Sequence, residues 1–392
     1  MMGEERFSLY LKSFEQDVPV SIRLNPLKTE GLTVADGERI PWCRQGFYLP
    51  KRPNFTFDPL LHAGCYYVQE ASSMFLHEVL SQHLPQHPVA ALDMCAAPGG
   101  KSTLMRSMLA EGSVLYANEP VRTRAHVLAE NIEKWGYADC IVTNNYPSDY
   151  RKAKMRFDVI LCDVPCSGEG MFRKDEATIR EWSVNNVEKC WRLQREIVAD
   201  AWQCLNEGGL MIYSTCTFNT KENEENIRWM LSEFDAEALE VETQREWGIT
   251  GSLLAGFSAP VYRFIPGIVK GEGLFLCALR KAGNTMDRKA GTKVRSKQKG
   301  AESLCVIPPS NPTDLSLPKV EVDFRQALAY LRHEALTLPE DTPRGLVEVC
   351  FQGHPLGQAK HIGTRANNLY PKEWKIKTTH IPNDYEAILR HT

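Results

Sequence analysis

The sequence predicts an α/β fold, a mostly parallel sheet covered by helices on both faces. Three observations carry this. From Val89 onward, short apolar strands alternate with helical patterns. A glycine-rich turn, Asp93-Met94-Cys95-Ala96-Ala97-Pro98-Gly99-Gly100-Lys101, follows the first of these strands and opens a helix. Two cysteines stand at the ends of two later strands, in Asp163-Val164-Pro165-Cys166-Ser167-Gly168 and in Ser214-Thr215-Cys216-Thr217.

The elements follow in order. Ser21 to Lys28 is an alternating, strand-like stretch ended by Asn25-Pro26. Tyr66 to Ser73 leads into a helical pattern through about Leu80. Val89 to Met94 reads as a buried strand, Lys101 to Leu109 as a helix, and Val114 to Ala117 as the next strand. Val121, Ala125, Leu128, Ile132 and Trp135 recur at helical spacing, and Gly136 stops that helix. Ile141 to Thr143 and Val159 to Cys162 are further strands. Val187 to Leu205 is an amphipathic helix ended by Gly208-Gly209. Leu210 to Tyr213 is a strand, Glu222 to Phe234 a helix, and Leu274 to Leu279 the last strand. Residues 281 to about 318 are rich in Lys, Gly, Pro and Ser and read as a linker. Beyond it come a helix (Phe324 to Leu331), short strands around Leu346 to Phe351, and a turn from Gly353 to Gln358. This last part is too small and polar to be a catalytic core and reads as an appended binding module.

Length and composition limit the choices. A chain of 392 residues suggests two or three domains, and 43% hydrophobic residues suits a globular core. No apolar run reaches the roughly 18 residues of a membrane span. The start, Met1 to Arg6, lacks a secretory pattern, so a cytoplasmic location is expected. Twelve cysteines scattered through apolar segments (Cys140, Cys162, Cys190, Cys204, Cys277) suggest reduced core thiols. None has zinc-knuckle spacing, and no metal is expected. The net charge of −3 advertises nucleic-acid binding poorly. However, Arg280, Lys281, Arg288, Lys289, Lys293, Arg295, Lys297 and Lys299 face only Asp287, which fits a solvated linker or a phosphate-contacting arm.

The glycine turn admits a nucleotide. Glycines there let backbone approach a ligand, and the helix N-terminus offers free amides. A P-loop needs glycine six positions before its lysine; here Cys95 occupies that place before Lys101, so the pattern fails. Glu119 ends the second strand, where an acid accepts hydrogen bonds from ribose hydroxyls. A ribose acid without a phosphate grip suits S-adenosyl-L-methionine. A tight strand–helix turn with a surface Glu119 stays open as the plain alternative.

The two thiols suit carbon methylation of a pyrimidine. Cytosine C5 is a weak nucleophile until a thiolate adds to C6 and raises electron density at C5. A carboxyl near ring N3 stabilises that adduct, and a second thiol assists proton removal and release. Asp163, Cys166 and Cys216 supply these groups, and either cysteine alone would read as a core residue.

At these residues the chain resembles the Nop/Sun-type RNA cytosine-5 methyltransferases, including members acting on small-subunit ribosomal RNA. The matching stretches are Leu92 to Ser102, Asp163 to Asp175 and Tyr213 to Ile227, supported by Ser21 to Lys28 and Tyr67 to Ser73. Gly353 to Pro371 resembles the family's pseudouridine-synthase-and-archaeosine-transglycosylase-like (PUA-like) RNA-binding module. The resemblance implies a Rossmann-like S-adenosylmethionine-dependent methyltransferase fold with a mostly parallel seven-stranded sheet. A small α+β N-terminal region and a small C-terminal β-rich module would flank it. The implied division is 1–85 for an N-terminal RNA-binding region, 86–282 for the methyltransferase domain, 283–318 for a basic linker and 319–392 for the PUA-like module.

The resemblance makes Cys216 the nucleophile, Cys166 the release cysteine and Asp163 a contact to both base and cofactor. Cys95, Ala96, Ala97, Pro98, Gly99, Gly100, Lys101 and Glu119 would bind S-adenosyl-L-methionine. The nucleophile assignment rests on the resemblance, because in DNA cytosine methyltransferases the Pro-Cys thiol, here Cys166, is the one that attacks. Two departures stand out. Asn144-Asn145-Tyr146-Pro147 occupies the place of an adenine-contacting acid, so an amide or phenol would have to serve. Pro266 precedes Gly267 where relatives carry a basic residue or histidine ahead of a motif such as Gly271-Glu272-Gly273.

The expected activity is methylation of a specific cytosine, most readily in 16S ribosomal RNA. Transfer RNA as substrate, or a silent RNA-binding assembly factor, are the alternatives. The expected partner is RNA, free or within the small ribosomal subunit; no membrane partner is expected, and the chain is expected to be a monomer. Arg23, Lys28, Arg173 and Lys174 are candidates for the RNA path, or else solvated charges. His354 and His361 read as surface residues of the end module.

Overall fold

A computed structural model describes residues 2–283, 294, 298–311, 316–378 and 380–391. The central sheet runs, in spatial order, Ala236–Leu239, Leu274–Lys281, Leu205–Thr215, Phe157–Asp163, Ala90–Asp93, Val114–Asn118 and Cys140–Thr143, with Tyr262–Phe264 added against Leu274–Leu276. Leu274–Lys281 alone runs against its sheet neighbours; the strands from Leu205–Thr215 to Cys140–Thr143 pair in parallel. This is the expected Rossmann-like sheet. Its strands are apolar along their length because helices cover both faces: Leu92, Ile160, Leu161 and Ile212 are fully buried. The chain order reverses between Ala90–Asp93 and Phe157–Asp163. Open α/β sheets bind ligands at the strand C-termini beside such a reversal. Asp93 and Asp163 end those two strands.

Local chemistry explains most boundaries. The helix Arg122–Trp135 stops at Gly136, whose φ of 92° is the left-handed conformation that favours glycine. The helix predicted to end at Gly208-Gly209 instead spans Val184–Cys204 and passes directly into the strand Leu205–Thr215. The two glycines lie in an irregularity of the pairing with Phe157–Asp163, where the register shifts between Leu205 and Leu210. Ala236–Leu239 was not foreseen: Ala-Glu-Ala-Leu favours helix, and only pairing with Leu274–Lys281 makes it a strand.

Four antiparallel strands form a second sheet near the start, in the order Glu38–Arg39, Gly46–Leu49, Val20–Leu24 and Tyr66–Val68. Near the C-terminus, Lys319–Glu321, Gly345–Phe351, His354–His361 and Ala366–Asn368 make a third sheet, covered by the helix Phe324–Leu331. The turn expected over Gly353–Gln358 is shorter. Gln352 and Gly353, with φ of 50° and 77°, make it, and His354–His361 is a full strand. His361 is buried, facing the carbonyls of Thr342 and Pro343, not at the surface.

The two ends share one core. Ile22, Leu24, Phe47, Phe57 and Tyr66 pack in the same cluster as Leu328, Val347, Leu356 and Ile388. Leu389–His391 pairs with Leu32–Val34. Removing residues 319–392 would therefore strip apolar cover from the first 70 residues. The chain between returns along the edge strand Cys140–Thr143: Asn144 N donates to Cys305 O, and Ile307 N to Val142 O.

Of the basic run, Arg288, Lys289, Lys293, Arg295 and Lys297 lie outside the described residues. Arg280 and Lys281 are not arm residues. Arg280 Nη1 donates to Gly208 O at 3.1 Å, and Lys281 Nζ to Trp202 O and Leu205 O at 3.0 and 2.9 Å, capping a helix C-terminus. All twelve cysteines are free thiols. Among the described residues, no helix is long and apolar enough to cross a membrane.

Candidate active site

Parallel register brings the two cysteine turns together. Asp163 lies opposite Ser214 in the pairing of Phe157–Asp163 with Leu205–Thr215. Each chain then leaves the sheet at the same end, with Cys166 three residues past Asp163 and Cys216 two past Ser214. The sulfurs meet at 3.3 Å, within hydrogen-bond range for thiols. Asp163 Oδ1 accepts from Ser214 Oγ at 2.7 Å, and Oδ2 from Lys101 Nζ at 2.9 Å. Lys101 comes from the first turn of the helix Gly100–Met108, so the glycine turn and the thiol turns are joined by one ion pair.

These groups surround a cavity of about 330 Å³, lined among others by Gln69, Asp93, Cys95, Lys101, Asp163 and Cys216. Ala96, Ala97, Pro98 and Gly100 also line it. A larger cavity, about 730 Å³, lies under the N-terminal helix between Phe7, Phe172 and Trp182. Its walls are almost wholly apolar and hold neither thiol, so chemistry places the site in the smaller one. Gly99, with φ 114°, makes the turn that starts the helix. Behind Cys216, Gly170 N donates to Cys216 O at 2.8 Å. A Cβ on Gly170 would sit 2.8 Å from that same oxygen, and one on Gly273 2.8 Å from Gly170 Cα. The two Gly-Glu-Gly stretches, 168–170 and 271–273, thus pack backbone against backbone, which leaves no room for side chains.

Electrostatics separates the two thiols. A hydrogen bond from Cys166 holds Cys216 below the usual thiol range, against burial and the Asp163 charge, with a smaller contribution from Lys101. Cys166 is held well above that range by the same hydrogen bond, by burial, and by the charges of Cys216 and Glu222. A shared S–H···S bond cannot choose a side by itself. Lys101 beside Cys216 and Glu222 beside Cys166 favour Cys216 as the more acidic thiol, while the Asp163 carboxylate opposes this. Burial opposes the charge on Lys101, but the Asp163 carboxylate outweighs it and keeps the ammonium above its ordinary value. Replacing Lys101 with methionine should therefore raise the Cys216 thiol. Activity should fall by roughly 10²-fold at pH 7 and recover in part as the pH rises. An unchanged pH–rate profile would remove Lys101 from this role.

The structure does not bring every expected residue to the cavity. Glu119 ends its strand as foreseen but is buried, accepting from Val121 N at 3.0 Å and approaching Arg124 at 3.5 Å; it is not among the cavity-lining residues. The amides proposed to meet adenine are committed elsewhere. Asn144 Nδ2 donates to Glu119 O and Pro120 O, and Asn145 pairs with the Cys305 backbone. Tyr146 alone stays exposed, at 69%.

Three of the four RNA-path candidates are structural. Arg23 is buried, donates to Gln69 Oε1, Gly100 O and Thr103 Oγ1, and lies 4.4 Å over Trp135. Burial lowers it to about 10. Lys28 donates to Ala63 O and Lys134 O, and Arg173 pairs with Glu272 at 2.8 Å. Only Lys174 is exposed at the cavity rim.

Sequence reasoning missed the support beneath the thiols. Glu222, fully buried, accepts from Ser167 N at 3.0 Å, Gln194 Nε2 at 2.7 Å and Asn219 Nδ2 at 2.7 Å, and from Ser167 Oγ. Glu224 and Arg263 form an ion pair with no exposure at all. The available signal was the run Lys221-Glu222-Asn223-Glu224-Glu225-Asn226, which resembles a solvated helix start. Glu222, Asn223, Glu224 and Asn226 are buried in it because they tie Thr215 to Phe218 into place.

With the geometry established, comparison with known proteins decides the family. The family model described as 16S rRNA methyltransferase RsmB/F matches residues 81–280, which is half of the chain. The chain belongs to this family. Models of the RsmF N-terminal domain and the RsmF PUA domain match residues 1–71 and 317–376. Ribosomal RNA small subunit methyltransferase F of Salmonella agona is 30% identical, over 94% of this chain and 92% of that protein. The protein of the same name from Pectobacterium atrosepticum is 34% identical over 70% of this chain. The match spans 59% of that relative's length, and 51% of the one from Pectobacterium carotovorum. A methyltransferase homolog from Pyrococcus horikoshii superposes with a TM-score of 0.60 at 26% identity, over 71% of this chain and 91% of its own. NSun6 of the same organism shares the fold, with a TM-score of 0.59 at 21% identity over 72% and 96%. Against this background the RsmB/F-family core carries the thiol pair, the Lys101–Asp163 pair and the glycine turn.

Proposed function

We propose that this chain transfers a methyl group from S-adenosyl-L-methionine to C5 of a cytosine in 16S ribosomal RNA, through a covalent Cys216–C6 adduct. One observation carries the reading: two thiols in contact, one of them, Cys216, lining a cavity that the glycine turn also lines. Membership of the RsmB/F family and the relatives named for the small ribosomal subunit support the substrate class. The PUA-domain match over 317–376 supports an RNA partner.

The residues present fit the cofactor. Asp93 Oδ1 is buried without a partner while Oδ2 accepts from Ser102 Oγ at 2.6 Å, and burial lifts this carboxyl to about 7. A Cβ on Gly100 would come within 3.3 Å of the Tyr67 ring, a tight contact at this wall of the cavity. Cys95, Ala96, Ala97, Pro98, Gly99, Gly100 and Lys101, with Asp93 and Asp163, are the residues proposed to hold it; Glu119, outside the cavity lining, would have to release its contacts to Val121 and Arg124 to join them. When bound, S-adenosyl-L-methionine supplies an electrophilic methyl.

The protein's own part is the activation of the ring. Cys216 sulfur bonds to C6, and the C5–C6 π electrons move onto C5. Asp163, oriented by Ser214 and Lys101, meets the N3 edge, where charge develops. After C5 is methylated, its proton leaves to Cys166 acting as base, the double bond re-forms and the S–C6 bond breaks. Cys166, 3.3 Å from the Cys216 sulfur, can then donate its S–H to the departing thiolate. A target carbon inside a helix must be unstacked to reach Cys216.

Bisulfite mapping of ribosomal and transfer RNA, from cells with and without the gene, tests the reading. One unconverted cytosine in 16S RNA should disappear with the gene. Loss at a transfer-RNA position instead would move the substrate, and no loss anywhere would sink the activity.

A further inference from the structure

Two thiols in contact hold one proton between them once one is ionised, and catalysis depends on which sulfur keeps it. The groups facing the pair come from five segments. Lys101, on the helix after the glycine turn, and Asp163, on its strand end, act on Cys216. Glu222 and Tyr213 flank Cys166. Cys190, on the helix Val184–Cys204, faces both Glu222 and Cys216.

Among these, Glu222 is the unusual one. It is 0% exposed. Its oxygens take Ser167 N, Ser167 Oγ, Gln194 Nε2 and Asn219 Nδ2, and every partner among the described residues is an uncharged donor. Its chain neighbour Lys221 turns to Glu188 instead. A carboxylate surrounded by donors has no site that calls for a proton of its own. Donors meet both oxygens, so the shell calls for a carboxylate; a glutamine would turn its NH2 onto donors at one of them. The same shell that anchors the Ser167 turn thereby fixes a buried negative charge beside it. That carboxylate lies one residue from Cys166, whose chain neighbour Ser167 it binds twice.

We propose that Glu222 is a positioning residue that decides which thiol keeps the proton, anchoring the Cys166 turn and standing, with Glu169 across Asn219, as a buried negative charge on that side, so that Cys216 is left as the attacking thiolate. The proposal rests on the reading of Cys216 as nucleophile. Glu222 touches no reacting atom; it acts through Cys166.

The test reads each thiol separately. The full-length protein is alkylated with iodoacetamide across a pH series, and the Cys166 and Cys216 peptides are quantified by mass spectrometry. In the native protein Cys216 should react at least about tenfold faster than Cys166 at pH 7. In Glu222→Gln this preference should fall by about tenfold, with the Cys166 profile moving to lower pH; in Glu222→Asp, which keeps the charge, it should stay within about threefold of native. Equal rates at the two thiols of the native protein would overturn the proposal without any variant. So would a folded Glu222→Gln protein with the native preference, or equal damage in Gln and Asp, which marks a scaffold only. The underlying reading is checked apart, with RNA carrying 5-fluorocytosine to trap the adduct. An adduct on Cys166 defeats the nucleophile assignment whatever the alkylation pattern. An adduct on Cys216 with an unmoved preference defeats the Glu222 role alone.

Discussion

Cys216→Ala is expected to lower methyl incorporation into small-subunit RNA by at least ~10³-fold, the loss of about 4 kcal/mol of transition-state stabilisation. Without a sulfur at C6 the ring stays aromatic and C5 stays a weak nucleophile, so the remaining groups have nothing to assist. The substitution should leave the fold intact. Cys216 lies at a turn, not inside a strand, and its anchoring contact is its backbone carbonyl, which alanine keeps. Cofactor affinity, measured by calorimetry, should change little, because Asp93 and the Cys95 to Lys101 turn are untouched. A labelled-methyl assay that finds full activity would reject the covalent mechanism. Lost activity together with lost cofactor binding would point to collapse of the cavity instead.

The second large effect is one of accumulation. Cys166→Ala leaves the nucleophile in place but removes the S–H that faces Cys216 at 3.3 Å. A hydrogen bond to a charged group contributes about 1.5–3 kcal/mol, so expulsion of the thiolate should slow by roughly 10- to 100-fold. The protein should then collect as a covalent RNA complex, seen as a slow band on a denaturing gel. The band should vanish in the double variant Cys166→Ala/Cys216→Ala. If Cys166→Ala turns over normally with no band, the release role is lost. If Cys216→Ala gives the band and Cys166→Ala does not, the two thiols exchange roles, as the Pro-Cys motif alone would suggest. Reciprocal behaviour of the two variants is thus more informative than either loss by itself.

The same geometry bears on regions distant from the thiols. Arg23 was a candidate for the RNA path, yet it clamps the Val20–Leu24 strand to the helix that carries Lys101. The N-terminal region therefore helps to set the cofactor turn. In turn that region shares its core with the C-terminal module. RNA-binding experiments on this chain are best made with point variants at exposed positions such as Lys174, because truncation would open the shared core.

Local pattern was enough to reveal the parallel strands of the central sheet, the glycine turn and the thiol motifs, because each depends on short-range periodicity or on a φ that only glycine adopts readily. Gly136 and the helix Phe324–Leu331 could be placed from neighbours alone. Motif resemblance extended this to the family. Pattern could not reveal which polar residues are buried. Arg23, Glu222 and Glu224 look like surface charges in the sequence, and their partners lie 46, 28 and 39 residues away, in Gln69, Gln194 and Arg263. Nor could it show that Asn144 is committed to backbone, with its N–H donating to Cys305 O in the segment returning along the sheet edge. Sequence by itself determined the kind of chemistry available, since that depends on residue type and strand-end position. Only the tertiary structure decided the surroundings of each thiol, because distant segments bring Lys101 and Asp163 to Cys216 and Glu222 to the Cys166 turn.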